Sequence, residues 1–245
     1  MLTFIFSTIK IIFLLGFLIF IHEGGHFLVA KLCKVKVNEF AIGFGPVIWK
    51  KQGKETKYAL RLIPLGGFVS MEGEDEESEN ERSFDKASVL KRIAIVSAGA
   101  IVNIIFGILI FLIVISILYR DIFVGLEYTK VFLVSILDSV KMLFTGNVSI
   151  NNFTGPVGIS EAVASTSGII DYIYMMSIIS VSLGVTNLLP IPALDGGKIV
   201  ILLIEAIRRK PMDKDLELKI QLLGFSFLIV LAMYITYYDV LKLFK

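Results

Sequence analysis

Twenty residues from Ile11 to Ala30 form an apolar run interrupted only at His22-Glu23-Gly24-Gly25-His26. About 20 apolar residues in a helix are enough to cross a bilayer core. A Glu at the centre of such a span costs about 2.5–3.5 kcal/mol even on lenient insertion scales, so it needs a polar task. At about 100° per residue, His22 and His26 lie about 40° apart on one helix face with Glu23 beside them. In the H-E-x-x-H pattern two imidazoles hold Zn²⁺ and the carboxylate acts as general base on the attacking water. The bland alternative is a pair of satisfied core histidines. Against it, the chain has only two histidines and both fall in the motif.

The chain as a whole is strongly apolar, 56% of its 245 residues being hydrophobic. That composition indicates a multispanning helical membrane protein. A net charge of +2 gives no basis for nucleic-acid binding, and Cys33, the only cysteine, excludes an internal disulfide framework. The N-terminus does not read as a cleavable signal, since it lacks a basic start and its apolar run flows straight into the motif.

Four crossings are expected. The first occupies residues 1–30, from about Leu2, or from Ile11 if Lys10 snorkels, and it sets His26 roughly 7 Å below the charged boundary at Lys31. Water must therefore reach the motif through protein. Residues 31–88 form a polar segment in which Val35 to Phe40 and Tyr58 to Ile63 alternate, bounded by Gly43-Phe44-Gly45-Pro46 and Pro64-Leu65-Gly66-Gly67. This pattern reads as short strands with turns, either a cap on the bundle or an open edge that takes up an extended substrate by strand addition. Glu72 to Glu81 reads as a solvated acidic loop.

Residues 89–119 make the second span, in which Asn103 needs a hydrogen-bond partner and serves either packing or the orientation of a metal-site loop. Residues 120–168 include an amphipathic stretch, Val131 to Phe144, better suited to the membrane interface than to a crossing, and then loops at Thr145-Gly146-Asn147 and Thr154-Gly155-Pro156-Val157-Gly158. The third span, 169–207, is broken at Pro190 and Pro192, and such a break at membrane depth is tolerated only inside protein or along a cavity. Asp195 beyond the break is the candidate third zinc ligand, the alternative being a turn and cap for the next helix, and Asn187 before it is a candidate for holding substrate backbone or the oxyanion. A loop at 208–217 leads to the fourth span, 218–245.

Basic residues concentrate in two of the connecting segments: twelve Lys/Arg between Lys31 and Arg92 and five between Arg208 and Lys219, against three in residues 120–170. The positive-inside rule makes the two basic segments cytoplasmic and the N-terminus, residues 120–168 and the C-terminus external.

Taken together, His22-Glu23-x-Gly25-His26, Gly43-Phe44-Gly45-Pro46, Pro64-Leu65-Gly66-Gly67-Phe68, Thr154-Gly155-Pro156-Val157-Gly158 and Asn187 to Gly196 resemble the site-2 protease family of intramembrane zinc metalloproteases. The likeness covers nearly the whole chain and is nearest to the bacterial regulator-of-sigma-E protease branch. It implies His22, His26 and Asp195 as zinc ligands, Glu23 as base and Asn187 near the scissile peptide. It also implies a membrane-dipping β-element at Lys57 to Met71 that presents substrate. The activity implied is cleavage of single-span membrane proteins, such as anti-sigma factors or remnant signal peptides, in a bacterial inner membrane, with the site toward the cytoplasm. Two departures stand out: residues 120–168 leave no room for the PDZ domain usual in that branch, and Ala100 stands where the branch tends to have Pro.

The expectation is thus a four-span α-helical membrane protein with a small cytoplasmic-side β-element, Zn²⁺ as cofactor, and the lipid bilayer and single-span proteins as partners. Two rivals predict other outcomes. A membrane-surface zinc endopeptidase would take its third ligand from a Glu on a downstream helix, and a non-catalytic metal-binding membrane protein or transporter would not need Glu23.

Overall fold

The computed structural model describes residues 2–146 and 154–243. The expected turn residue Asn147 lies outside them. In chain order the elements are α1 (Leu2–Leu32), β1 (Val37–Gln52), β2 (Lys57–Met71), α2 (Val89–Tyr119), α3 (Ile122–Thr145), α4 (Pro156–Ala164), α5 (Ile169–Asn187), α6 (Asp195–Arg208) and α7 (Lys214–Leu243). Among the described residues four helices are long and apolar enough to cross a membrane: Ile5–Leu32, Val89–Tyr119, Ile169–Asn187 and Lys214–Lys242. The chain is a polytopic helical membrane protein. Its Pro-containing break falls at the end of α5, so the third candidate span is complete before it, and α6 is a separate helix of 14 residues.

Two compact units can be distinguished, one made of residues 12–104 and 182–225, the other of 1–11, 105–181 and 226–245. The first contains the H-E-x-x-H motif, both strands and α6. Its core gathers Ala30, Val35, Val37, Phe40, Val69, Met71, Phe84, Ile95, Val96 and Leu202, so the start of α2 and the sheet pack on the end of α1. Phe40 is packed edge-on against both Phe20 and Phe27, which sit seven residues apart, about two turns, on one face of α1.

The sheet departs from the expected pair of short strands. Gly43 (φ 87°), Gly45 (φ 82°) and Gly66 (φ 112°) kink the strands without ending them, because glycine enters the left-handed region freely. A side chain at Gly66 would collide with the Phe44 ring. Residues 39–42 have partners on both sides, 70–67 on one and 57–60 on the other, and 57–60 pair in turn with 52–49. Residues 67–71 thus form one edge of the sheet. The turn that follows is tied down at Glu72, whose carboxyl is held well below its usual value, at about 2, by hydrogen bonds from Ser78, Lys36 and Asn38.

Helix crossings in this unit depend on small residues. A Cβ on Gly25 would stand 2.7 Å from the Ala98 carbonyl oxygen of α2, and one on Gly184 of α5 would stand 2.5 Å from that of Ala100. The close neighbour of Gly25 is therefore α2, whereas Gly24 has open space around it. Arg92 near the start of α2 pairs with buried Glu205 of α6 at 2.8 Å, and Glu205 also accepts the Met212 N–H ahead of α7.

In the second unit α3 turns back from α2. Asp121 caps it by accepting the Phe123 N–H, the Phe132 ring stacks on Phe111 at 4.3 Å, and Gly125 meets Ser116. The Thr154-to-Gly158 motif begins α4, where buried Asp239 of α7 accepts the Gly158 N–H at 2.9 Å. A carboxylate at a helix N-terminus answers both its free N–H groups and its dipole. Lys10 extends to the Thr166 carbonyl just after α4, at 2.9 Å, so the charge just ahead of the first apolar run sits at a helix C-terminus.

Candidate active site

His22 and His26 sit one helical turn apart on α1, and the chain brings Asp195, the first residue of α6, to them. The Nε2 atoms of the two rings are 3.2 Å apart, and Asp195 Oδ2 is 3.3 Å from that of His22 and 3.5 Å from that of His26. This is the one group of three potential ligands found to converge among the described residues. Asp195 Oδ2 is buried and makes no hydrogen bond despite these neighbours. Tetrahedral zinc with bonds of about 2.0–2.1 Å holds its ligand atoms about 3.3–3.4 Å apart. The three atoms already have that spacing, and an unsatisfied buried carboxylate oxygen among two imidazole nitrogens suits a cation, so the donor set fits zinc.

Both rings are steered from their far side by α2. His26 Nδ1 lies 2.8 Å from the Ile95 carbonyl oxygen. A carbonyl only accepts, so Nδ1 carries the proton and the Nε2 lone pair points at the ligand cluster. The Asn103 amide, fully buried, lies 3.5 Å from His22 Nδ1. The atom facing the ring is Nδ2; rotating the amide by half a turn puts Oδ1 there, where it would accept from His22 Nδ1–H as the Ile95 carbonyl does from His26. The sequence leaves Asn103 either to helix packing or to orienting a metal-site loop; the group beside it is the His22 ring.

The Pro-containing segment before Asp195 is held by close backbone packing. Gly196 lies against the Leu188 and Leu189 carbonyls, Gly197 against that of Ile191, and Gly224 of α7 against Pro192. Ala193 adopts φ 74°, unusual for a residue with a Cβ, and turns the chain into α6. The two glycines after Asp195 are thus required by this return of the chain.

A cavity of about 220 Å³ opens on the cluster. His22, Glu23, His26 and Asp195 line one part, Gly67, Phe68, Val69 and Met71 of the sheet edge form a wall, and Glu74, Lys198 and Gln221 lie in it as well. Glu23 borders the edge strand closely: a Cβ on Gly67 would stand 2.9 Å from Glu23 Cγ. Asn187 ends α5, is half-buried and does not line the cavity, though its neighbour Leu188 packs on Gly196. Glu74, Lys198 and Gln221 were not singled out from the sequence. Lys198, three residues after Asp195, could have been found by reading the face of α6, whereas nothing in the local pattern marks Glu74 or Gln221.

Two imidazoles, a carboxylate and a second carboxylate beside an open cavity in a polytopic helical protein are the equipment of a membrane-embedded metallohydrolase. Comparison with known proteins narrows that class. Residues 10–231 match peptidase family M50, and the chain belongs to that family. A protein of Clostridium acetobutylicum named as a zinc metalloprotease is 31% identical over 330 residues, covering 96% of this chain and 97% of its own. Zinc metalloprotease RasP of Bacillus licheniformis is 24% identical over 417 residues, covering 97% of this chain and 99% of its own. Protease RseP of Yersinia pestis is 44% identical over 113 residues, 44% of this chain and 25% of the relative. The chain is a zinc metalloendopeptidase of the site-2 protease type. Among the described residues, only α3 and α4 stand between α2 and α5 in the sequence, with no PDZ fold.

Proposed function

We propose that this protein cleaves single-span membrane proteins in or near their membrane segments, with His22, His26 and Asp195 as zinc ligands and Glu23 as general base. The observation that carries this reading is the convergence of three ligand atoms within 4.8 Å at a cavity walled by the open edge of β2. Zinc, when bound, supplies a Lewis acid that polarises the scissile carbonyl and acidifies water. Glu23 takes a proton from the attacking water and delivers it to the leaving amine, for which its place beside both histidines is suited. Residues 67–71 receive the unwound substrate as an added strand, because peptide bonds inside a helix are closed to a nucleophile. Phe44, Ile48, Trp49, Leu62 and Ile63, each about half exposed, support a membrane-dipping role for the sheet. Asn187 is assigned to the substrate backbone near the scissile bond, a reading supported by the return of Leu188 to Gly196.

The lysine- and arginine-rich segments around the sheet and before α7 support a cytoplasmic site in a bacterial inner membrane. Anti-sigma factors and remnant signal peptides are the proposed substrates. The deciding experiment is the Glu23→Gln protein in native membranes. It is expected to keep its zinc, cleave nothing and retain its substrates for identification, and turnover by that variant would remove Glu23 from the mechanism.

A further inference from the structure

We infer that Lys198, clamped by Glu74, is a specificity-determining residue that requires a hydrogen-bond acceptor on the substrate a few residues from the cleaved bond. The inference rests on the protease reading of the cavity and adds to it a demand on substrate sequence. Lys198 follows Asp195 by one turn of α6, and its side chain lines the same cavity. Its ammonium donates to Glu74 Oε1 at 2.6 Å and lies over the Phe84 ring at 5.3 Å. Glu74 is anchored independently, since its backbone carbonyl accepts from Lys214 Nζ at 2.6 Å. The ammonium is therefore held in place, with both partners of the pair at most one-fifth exposed.

An ammonium has three N–H donors. Glu74 is the one hydrogen-bond acceptor the described residues give it. Two donors remain for whatever occupies the cavity. The Glu74 carboxylate balances the charge, so a neutral acceptor, such as a substrate carbonyl or an Asn, Gln or Ser side chain, suits the site better than a second anion. An apolar side chain there would strip water from the donors and leave them unpaired, which a buried polar site penalises strongly.

The position along the substrate follows from chain geometry. Gly67 stands beside Glu23, and the edge runs from there through Met71 toward Glu74. At about 3.3 Å per extended residue, four residues along this edge cover about 13 Å. Lys198 therefore meets a substrate residue about three to four positions from the scissile bond. The pair favours cleavage where an apolar span gives way to polar or unwound chain, and disfavours bonds deep within a uniformly apolar stretch.

The test uses the full-length protein in lipid and a series of single-span substrates. Each position from two to five residues on either side of the cut is changed in turn from Leu to Asn. Wild-type enzyme is expected to show one position, three or four residues away, where Asn raises kcat/KM by about tenfold. Lys198→Met should flatten that ratio at unchanged zinc content, and Lys198→Arg should retain it. A flat scan with active wild-type enzyme overturns the inference, as does an undiminished ratio in Lys198→Met. If Lys198→Met does not accumulate, the wild-type scan decides by itself. Failure of the protease reading would look different, as zinc-bound enzyme that cleaves no substrate in the series.

Discussion

Glu23 is separated from the sheet by the absence of a single methyl group. A Cβ on Gly67 would come within 2.9 Å of Glu23 Cγ and 3.0 Å of the Ala41 carbonyl oxygen, backbone that cannot yield. Gly67→Val is therefore expected to displace the Glu23 carboxylate and lower kcat by about a hundredfold, with zinc content unchanged by metal analysis. Asn103 acts on the other side of the same turn of α1. Replacing it with Leu removes the polar partner of His22 Nδ1 and should weaken zinc binding by about 10–100-fold in a chelator competition, while Glu23 keeps its place. The two variants thus separate loss of the proposed base from loss of the metal. At this scale the motif was legible because the four-residue spacing of two histidines survives any tertiary arrangement of a helix. The role of Gly67 was not legible, because a Gly pair beside a proline reads equally well as a turn, and only the neighbouring helix shows what the missing side chain makes room for.

At the scale of elements, α6 does more than deliver Asp195. Its buried Glu205 faces Arg92 at 2.8 Å and accepts the Met212 N–H, tying the start of α2 to α6 and to the turn ahead of α7. Removing one partner of a buried pair leaves the other charge uncompensated. Glu205→Ala should cost about 3–5 kcal/mol, read as a lower unfolding midpoint in detergent, with zinc lost in parallel because α6 carries the proposed ligand Asp195. The strands show a different limit of sequence reading. Alternation at Val35 to Phe40 and Tyr58 to Ile63 marks where strands begin, but Gly43, Gly45 and Gly66 in the left-handed region carry them past their expected ends. Gly and Pro signal a change of direction, and whether the chain then leaves the sheet or pairs again depends on partners distant in sequence. The Thr154-to-Gly158 motif reads as a loop from its local sequence, whereas in the fold its last three residues open α4, with the Gly158 N–H taken up by buried Asp239 about eighty residues later.

At the scale of the whole molecule the metal is also a structural link. Its proposed ligands come from α1 and α6, more than 160 residues apart in sequence, so binding of zinc to the folded state alone should stabilise the protein by mass action, about 2.7 kcal/mol at a free zinc concentration one hundred times Kd. Chelation is expected to abolish cleavage and lower the unfolding midpoint together, and added zinc to restore both. An unchanged midpoint would show that the link contributes nothing to the fold.

The sequence alone determined that the protein is membrane-embedded, that it crosses with four apolar helices, and that α1 offers two imidazoles and a carboxylate on neighbouring faces. Those properties follow from hydropathy and helical periodicity, which are local. What the tertiary structure decided was non-local. It brought Asp195 to within 3.5 Å of both histidines, supplied Ile95 and Asn103 to orient the rings, and set the edge of β2 and the Lys198–Glu74 pair around one cavity. A turn of helix specifies angles between residues four apart, whereas the meeting of residues a hundred or more apart is settled only by which surfaces pack. Here that packing is governed by glycines whose missing side chains let α1, α2 and the Pro-containing segment approach closely enough to close the site.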